Sequence, residues 1–596
     1  MLANGPEGSE GAPAAARRLL AALTGFVLFV SAVRFFRPAV LFEPDLSIWQ
    51  IWLLMWAATL GLTALGALAA SAAFRAFSRS RFATGPLAPL PFRPGTLVVL
   101  ALGAIGIGAL VRFADLGRPE SLIADDVSLI GQTLGLHGTW SDFLRPLRAA
   151  PYGIPKPFAT VGVLYLEVWR WSLRLFGTTL FGMRFVAALA ASLSLVTGAL
   201  LGRALLPRGG GTLVALVPTG LRWHLIMSRW SWAVAVVLIP LVDVATLLLL
   251  SARRRQRLSL AGAAGVVCGL GAHAYLASWV AGGALALWAS LPEGGSGRGR
   301  RGVARAALFC AGFAVAAGPL FLQGAPGDPA YFARTKAHNV FAEMRYQRSA
   351  FPPFTAAADA LASPWFVPEP TAWADLPGRS RLGWLLGTLL AVGLGRAFLA
   401  PLGDLGGLLL AHAAAGFLSS VVQGNSGNPN GYRYVYLTVP AALAVASGAL
   451  ALLSALPERA RRMAAVLTLG GIAIAGTIGM RDGCLRWPEA RSTFDQMNGC
   501  STRLGAAAAR WSLRGPTDIE GDPSFNGIVA EGVRRYAITS EPLAAPGGAP
   551  LTPSRYLVTA RAEPGAGERI VERVADPWGR ACGAVLRRAD PGSGSR

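Results

Sequence analysis

The strongest constraint on this chain is a series of apolar runs, several of which reach the ~20 residues that a helix needs to cross a bilayer. The chain is 53% hydrophobic and only 15% charged, with a mean hydropathy of +0.46, whereas soluble proteins carry about 25% charged residues. Helices satisfy their own backbone hydrogen bonds and can therefore lie in lipid. The runs lack the period-two alternation of sandwich or barrel strands. They predict an all-α, polytopic membrane protein.

About thirteen spans are predicted, and the division between the seventh and the eighth is the least sharply marked. Residues 1–16 are rich in Gly and Ala and are expected to be disordered. Arg17 and Arg18 precede an apolar stretch without a clear cleavage site, which indicates a signal anchor. The expected spans are 19–36, 47–74, 95–112, 184–206, 211–228, 232–251, 259–275, 276–291, 303–322, 383–400, 405–422, 433–454 and 463–480.

The formal charge of +23 would suggest nucleic-acid binding in a soluble protein. Here much of the charge lies in short connections between apolar runs, as the positive-inside rule expects. One alternation fits nearly every connection and places the N-terminus inside. It places 113–183, 323–382 and 481–596 outside. The basic residues assigned to the inner side are Arg75, Arg79, Arg81, Arg93, Arg203, Arg208, Arg253, Arg254, Arg255, Arg257, Arg298, Arg300, Arg301, Arg305, Arg459, Arg461 and Arg462.

Two of the predicted outer segments contain patterns that indicate secondary structure. Residues 160–176 are apolar and aromatic but contain charges, which predicts an interfacial helix with Trp169 and Trp171 at headgroup level; a buried helix is the alternative. The tail is rich in Pro and Gly and has strand-like pieces at Tyr556–Ala560 and Ala581–Leu586. We expect a small α/β segment there, with partial disorder as the alternative.

The five cysteines divide between the spans and the tail. Cys268 and Cys310 fall within spans and are interpreted as packing residues. Cys484, Cys500 and Cys582 lie in the outer tail, where disulfides can form. One disulfide is expected, most simply between Cys484 and Cys500.

Two adjacent acids, Asp125 and Asp126, begin the first large outer segment within SLIADDVSLI. Adjacent carboxylates among apolar residues repel each other and lose hydration, a cost that is often accepted for a base or a cation ligand. Asp is also an ordinary helix N-cap. The spacing alone does not separate the catalytic interpretation from the capping one.

Basic residues that could bind an anion follow in the same outer regions. Lys156 stands between two prolines, which stiffen the backbone and could hold its ammonium near the membrane surface for a lipid-linked phosphate; an ordinary snorkelling lysine is the alternative. The connection HLIMSRWSW offers His224 and Arg229 beside Trp230 and Trp232. An interfacial aromatic belt explains that connection equally well.

Taken in order, these motifs resemble a family. A span, an acidic pair, a Lys-Pro motif, an interfacial helix ending in LFGTTLFGMRFVAAL and a further span are similar to the GT-C membrane glycosyltransferases. Within these, the match is to the branch with the lipid A aminoarabinose transferases and protein O-mannosyltransferases. MSRWSW, GLGAHAYLASW and NPNGYRYVYLTVP also match. The resemblance covers 95–480, which leaves 1–94 as a disordered segment with two extra spans and 481–596 as an extracytoplasmic domain or tail.

The resemblance implies roles for particular residues. Asp125 matches the first acid of the family's Asp-Glu pair, the general base, and Asp126 replaces the Glu with a shorter side chain. Lys156 matches the lysine that contacts the donor phosphate. Arg229 and Arg433 are weaker matches for phosphate or acceptor contacts. His224 and Tyr275 are assigned to the acceptor or another part of the site, although the family's arginine after the tyrosine is absent, because Leu276 follows Tyr275.

The implied reaction is transfer of a hexosyl or pentosyl group from a polyprenyl-phosphate sugar to a lipid, glycan or protein. It would occur on the outer face of a bacterial plasma membrane. A carboxylate suits a base that deprotonates the acceptor, and fixed cations stabilise the departing phosphate. One direct displacement inverts the anomeric carbon. The resemblance does not settle whether a metal is required, and a divalent cation beside Asp125 and Asp126 stays an open alternative.

A transporter or lipid-linked sugar flippase is the competing hypothesis. Such proteins place ionisable residues at mid-membrane, often on broken helices. Asp243, His273 and His412 are the few candidates within the predicted spans, and each could equally be a helix-contact residue. The more prominent acids lie outside the spans, which favours the enzyme.

Overall fold

The computed structural model describes most of the chain from residue 85 onward. The described residues are 85–134, 163–231, 234–292, 299–322, 356, 360, 375–376, 378–399, 403–422, 431–520, 527–536, 538, 556–561, 563–565 and 568–588. The predicted spans 19–36 and 47–74 and the candidate Lys156 lie outside these residues.

The described part of the chain is mainly helical before residue 513 and mixed α/β after it. Its helices are α1 Pro94–Phe113, α2 Ala124–Leu134, α3 Val163–Phe176, α4 Leu180–Leu205, α5 Gly210–Thr219, α6 Arg222–Met227, α7 Val234–Arg255, α8 Leu258–Leu270, α9 Ala277–Ser290, α10 Gly299–Leu322, α11 Gly383–Leu399, α12 Asp404–Val422, α13 Thr438–Ser454, α14 Glu458–Arg481, α15 Trp487–Glu489, α16 Arg491–Gln496, α17 Gly499–Ser512 and α18 Gly527–Tyr536.

Seven of the described helices are long and apolar enough to cross a membrane, and they confirm a polytopic helical protein. They correspond to α1, α4, α7, α10, α12, α13 and α14, while α5, α8 and α11 are shorter apolar helices. The predicted total of thirteen spans is not confirmed. The bundle leaves large apolar side chains such as Val99, Leu110 and Val315 exposed. A soluble protein rarely exposes so many, whereas lipid accepts them.

Glycines allow several helix pairs to approach closely. A Cβ on Gly265 of α8 would lie 2.0 Å from the Phe309 carbonyl oxygen on α10, and one on Gly393 of α11 would lie 1.9 Å from the Ala444 oxygen on α13. No side chain fits at such separations. Small residues at helix contacts are expected where lipid, rather than water, surrounds the bundle, because packing then drives association.

The predicted span 211–228 is broken into two helices. Helix α5 ends at Thr219, one residue after Pro218, and α6 begins at Arg222. The turn is compressed against α14, since a Cβ on Gly220 would lie 2.1 Å from the Gly476 Cα. Proline removes a backbone donor and disfavours a continuous helix. The prediction of a single span rested on the apolar composition of the run, which does not show this break. A 3-10 turn, Gly431–Leu437, similarly precedes α13.

Several arginines that the charge pattern assigned to inner connections have structural contacts at one end of the bundle. The Arg253 guanidinium is buried, lies 3.1 Å from Asp404 and donates to the Trp288 carbonyl at 2.8 Å. Arg254 shares the Asp404 carboxylate at 3.2 Å. Arg305 donates to the Ala289 carbonyl at 3.3 Å. These residues therefore join helix ends as well as contributing to the charge asymmetry.

The tail forms the α/β segment that the sequence suggested. Four strands, β1 Thr517–Ile519, β2 Tyr556–Thr559, β3 Glu568–Ala575 and β4 Ala581–Arg588, lie in the order β1-β2-β4-β3. The β1–β2 pair is parallel and the other two are antiparallel. Helix α17 packs its apolar face, including Leu504 and Trp511, on this sheet.

The expected disulfide pairing was wrong. Cys500 of α17 is bonded to Cys582 of β4, with 5.1 Å between the Cα atoms. Cys484 is a free thiol in the π-helical turn Asp482–Arg486 that follows α14. The sequence favoured neighbours in the chain, but the sheet places β4 against α17 and so brings together two cysteines that are 82 positions apart.

Candidate functional site

The loop 114–123 between α1 and α2 is held by a buried arginine. Arg184 stands in the first turns of α4, whose start is fixed by Thr179, because the Thr179 hydroxyl accepts the Gly182 amide at 3.0 Å. The Arg184 guanidinium donates to the carbonyls of Leu116 and Pro119 at 2.8 Å and of Ser121 at 3.1 Å. One rigid, always-charged fork thus fixes three points of the loop that leads to the acidic pair.

A second arginine fixes the beginning of the same loop. Arg229, which follows α6, is buried and donates to the Ala114 carbonyl and, at 3.4 Å, to the Asp115 carbonyl. Arg184 and Arg229 lie within electrostatic range of each other, and Asp126 lies within range of Arg184. The sequence assigned Arg229 a weak phosphate-binding role. In the structure its guanidinium contacts the protein backbone at the end of α1.

The two acids stand in the first turn of α2 and have different surroundings. Asp126 is buried, and its Oδ2 accepts the backbone amide of Ile123 at 3.0 Å. This is the arrangement in which an acidic side chain of the first turn reaches back to the residue that precedes the helix. Asp126 therefore makes a capping contact from the third position of the helix, and not from the N-cap position that the sequence left open. The structure describes the backbone of Asp125, which precedes Asp126 in the helix, but it does not describe the Asp125 side chain.

Helix α3 packs beside the acidic turn. Burial and the Asp126 charge both raise the pKa of Tyr165, so its hydroxyl stays protonated. Trp169 is fully buried, with its indole nitrogen 2.6 Å from the Met183 carbonyl oxygen, whereas Trp171 is 59% exposed. The predicted helix is thus present and amphipathic. The expectation of two tryptophans at headgroup level fails for Trp169, because that residue faces α4.

The tail after α14, which we call the C-terminal domain, contacts the loop and helix that carry the acids. The Leu122 amide donates to the Thr502 hydroxyl at 3.1 Å, and Arg503 donates to Glu120 at 2.9 Å. Helix α18 lies against α2 so closely that a Cβ on Gly532 would be 1.8 Å from the Val127 Cγ1. The tail is therefore part of the wall around the acidic turn.

The remaining candidate residues lie in different places. His224 is fully buried in α6, with its Nδ1 2.6 Å from an Arg112 guanidinium nitrogen and its Nε2 3.2 Å from the Ser194 hydroxyl. Tyr275 lines a small pocket with Tyr434, Tyr436 and Ser419. Arg433 belongs to the 3-10 turn before α13, and only its backbone is described.

The ionisable residues that the transporter hypothesis requires contact neighbouring helices. The Asp243 carboxylate accepts the Thr197 hydroxyl at 2.6 Å. His273 lies with its Nε2 2.9 Å from the Ala316 carbonyl oxygen. The His412 ring lies 6.3 Å from the Tyr436 ring. These placements agree with helix-contact roles.

A cation site of several protein ligands is not found within the described ranges, where His, Cys, Asp and Glu form no group of three or more. Asp126 has its Oδ2 engaged with the Ile123 amide. The described residues therefore do not supply a set of ligands for a divalent cation at the acidic pair.

Three residues that support the site were missed by the sequence interpretation. Arg184 was counted only as the first residue of the predicted span 184–206. An arginine inside LFGMRFVAAL is costly in lipid, and this cost indicates that its guanidinium has hydrogen-bond partners inside the protein. Thr502 and Arg503 belong to the tail, and no local pattern shows that the tail folds back on residues 120–122. Only a tertiary contact between segments about 380 positions apart reveals this.

Comparisons with known proteins find similarity to solved structures at low sequence identity. No family model and no curated protein matches this chain. Among solved structures, apo ArnT from Cupriavidus metallidurans is similar over 83% of this chain and 98% of that one, with 12% identity and a TM-score of 0.44. Its undecaprenyl phosphate complex is similar over 85% and 100%, with 12% identity and a TM-score of 0.41.

An oligosaccharyltransferase from Archaeoglobus fulgidus, tethered to an acceptor peptide, is similar over 77% of this chain and 60% of that one, at 14% identity and a TM-score of 0.41. The TM-scores are modest, so the activity of this chain has to be inferred from its own residues.

Proposed function

We propose that this protein is a GT-C-type membrane glycosyltransferase. It transfers a glycosyl group from a polyprenyl-phosphate sugar to a lipid, glycan or protein acceptor, and Asp125 is the general base. The observation that carries the proposal is the set of three carbonyl contacts through which buried Arg184 fixes the loop before the acidic pair. A mechanism that depends on the position of one carboxylate needs such a rigid support.

The two acids divide the work. Asp126 caps α2 through the Ile123 amide and holds the first turn in place. Asp125 takes the proton of the acceptor hydroxyl or amine while the acceptor attacks the anomeric carbon. The bond from that carbon to the donor phosphate oxygen breaks, the phosphate leaves with the bonding electron pair, and the configuration inverts.

The departing phosphate gains negative charge and needs fixed cations. We assign this role to Lys156 of the Lys-Pro motif and, with less sequence support, to Arg433. Arg229 serves the site by fixing residues 114 and 115. Tyr275, in the pocket with Tyr434 and Tyr436, is proposed to contact the acceptor or the sugar.

The proposed location is a bacterial plasma membrane, with the acidic loop and the C-terminal domain on the outer side. Charge alternation supports this orientation. The disulfide Cys500–Cys582 in the tail supports it independently, because disulfides persist in oxidising compartments.

The class of reaction can be tested in cells. Mass spectrometry of envelope lipids, glycans and glycoproteins should show a glycosyl group that disappears when the gene is deleted, together with accumulation of its polyprenyl-phosphate sugar. Complementation with Lys156→Ala should restore less product than complementation with Lys156→Arg, which keeps the charge. Loss of the same glycosyl group with the lipid-linked sugar trapped on the inner leaflet, and not accumulated on the outer one, would instead support a flippase.

A further inference from the structure

Three arginines surround one buried carboxylate where α14 ends. Asp482 is only 1% exposed, and its carboxylate lies 3.3 Å from Arg481, 3.5 Å from Arg486 and 3.5 Å from Arg379. The three arginine side chains are 48%, 50% and 46% exposed. Three positive charges therefore share one negative charge, and each guanidinium keeps a solvent-facing side that Asp482 does not cover.

Neighbouring acids of the described structure do not balance this excess. Asp375 is held by Arg222 at 2.6 Å. Glu489, three residues after Arg486, lies 3.8 Å from Arg118. The cluster Arg379–Arg481–Arg486 thus presents a net positive surface at the end of α14. Guanidinium groups in general bind phosphate oxygens through paired hydrogen bonds.

An apolar stripe leads along α14 to this cluster. Met463, Leu467, Ile474 and Ile478 are all exposed and recur at spacings of four, seven and four, which place them on one helix face. Arg481 follows Ile478 by three positions on the same face. The opposite face packs into the bundle through Ala465, Ile472 and Gly479. The apolar side chains and the positive charges thus lie along one line on the outside of the bundle that the described helices form.

We propose that the cluster Arg379–Arg481–Arg486 binds the phosphate of an anionic bilayer phospholipid whose acyl chains lie along the exposed stripe of α14. The shared chemistry of the site, an apolar tail below a phosphate, would also suit a polyprenyl phosphate. The bilayer phospholipid is favoured because the stripe faces away from the bundle, where bilayer lipids vastly outnumber carrier lipids and occupy weak sites by mass action.

The site can be tested on the full-length protein in nanodiscs of phosphatidylcholine with or without phosphatidylglycerol. Native mass spectrometry would count the phosphatidylglycerol that stays bound. Arg481→Gln/Arg486→Gln should reduce its retention about tenfold, since each interfacial arginine contributes appreciably to anionic-lipid binding. Arg459→Gln/Arg462→Gln is the matched control, because it removes two exposed charges from the other end of the same helix.

A third variant separates lipid binding from a structural role of the cluster. Asp482→Asn frees the three guanidinium groups from their shared carboxylate and should retain phosphatidylglycerol as well as, or better than, the wild type. Equal retention by the two double variants would overturn the proposal, as would a loss of retention in Asp482→Asn. Displacement of phosphatidylglycerol by equimolar undecaprenyl phosphate would show that a carrier lipid is the occupant instead.

Discussion

The Asp126 carboxylate accepts the backbone amide of Ile123 at 3.0 Å, across the first turn of α2. This contact assigns a structural task to one member of an acidic pair whose two residues look equivalent in the sequence. Asparagine can accept the same hydrogen bond from the Ile123 amide through its own amide oxygen. Asp126→Asn should therefore keep the fold and most transfer activity, with a loss in rate below about tenfold.

Asp126→Leu is the contrasting variant. It leaves the partly buried Ile123 amide without its acceptor, and the cost approaches the ~1–3 kcal/mol of a fully buried unsatisfied donor to the extent that water is excluded. Hydrogen exchange at residues 121–127 should be faster in Asp126→Leu than in Asp126→Asn. If Asp126→Asn alone abolishes transfer while the exchange rates stay those of the wild type, Asp126 acts in the chemistry and the division of roles is wrong.

Arg184 provides a second prediction, because it is a positioning residue for the loop 114–123. Arg184→Lys keeps the charge but cannot reach three carbonyls at once. We expect kcat to fall about 10- to 100-fold, as misplacement of a reacting group by about 1 Å can cost, while the KM for the donor changes little. A rise in KM alone, with kcat retained, would place Arg184 in substrate binding.

The contact between the C-terminal domain and α2 predicts a pair of compensating changes. Gly532→Ala introduces a Cβ 1.8 Å from the Val127 Cγ1 and should push α18 away from α2, lowering both thermal stability and activity. Val127→Ala removes that Cγ1, so the double variant Val127→Ala/Gly532→Ala should recover most of the loss. Additive damage in the double variant would mean that this contact does not hold the domain in place.

The turn between β3 and β4 should respond to acid. Burial alone would raise the pKa of Asp576, but the amides of Arg580 and Trp578 and the Arg580 guanidinium more than offset it, and the pKa lies below its ordinary value of 3.8. The folded state therefore binds this proton less tightly than the unfolded state. The contribution of Asp576 to stability is present above pH 3.8 and is lost as the pH falls through the lower folded-state value.

Asp576→Asn removes this dependence. In the full-length protein, proteolysis at the β3–β4 turn should be faster for Asp576→Asn than for the wild type at neutral pH. The difference should shrink as the pH is lowered below 3.8 and through the folded-state pKa of Asp576, where the wild-type carboxyl also becomes protonated. A difference that stays constant over this range would show that the Asp576 charge does not stabilise the turn.

Sequence patterns predicted the polytopic bundle, the amphipathic α3 and two strands of the tail, β2 and β4, because each depends on local hydrophobic periodicity or β-propensity. They could not predict the break at Pro218–Gly220, since that apolar run has the composition of one span. Other features depend on contacts between segments that are far apart in the sequence. These are the disulfide between Cys500 and Cys582, the hydrogen bond from Leu122 to Thr502 and the contacts of Arg184 with backbone carbonyls. Those contacts define the surroundings of the acidic pair, so the sequence could suggest Asp125 but not what holds its loop.

The central claim is that Asp125 is the base. The most direct measurement is the rate of sugar transfer, in a reconstituted assay with a polyprenyl-phosphate sugar, by purified Asp125→Asn beside Asp126→Asn and the wild type. Removal of a general base typically costs about 10²–10⁴ in rate. The account predicts a loss of that size for Asp125→Asn with donor binding and thermal stability unchanged, and only a small loss for Asp126→Asn. Transfer by Asp125→Asn at the wild-type rate would contradict it.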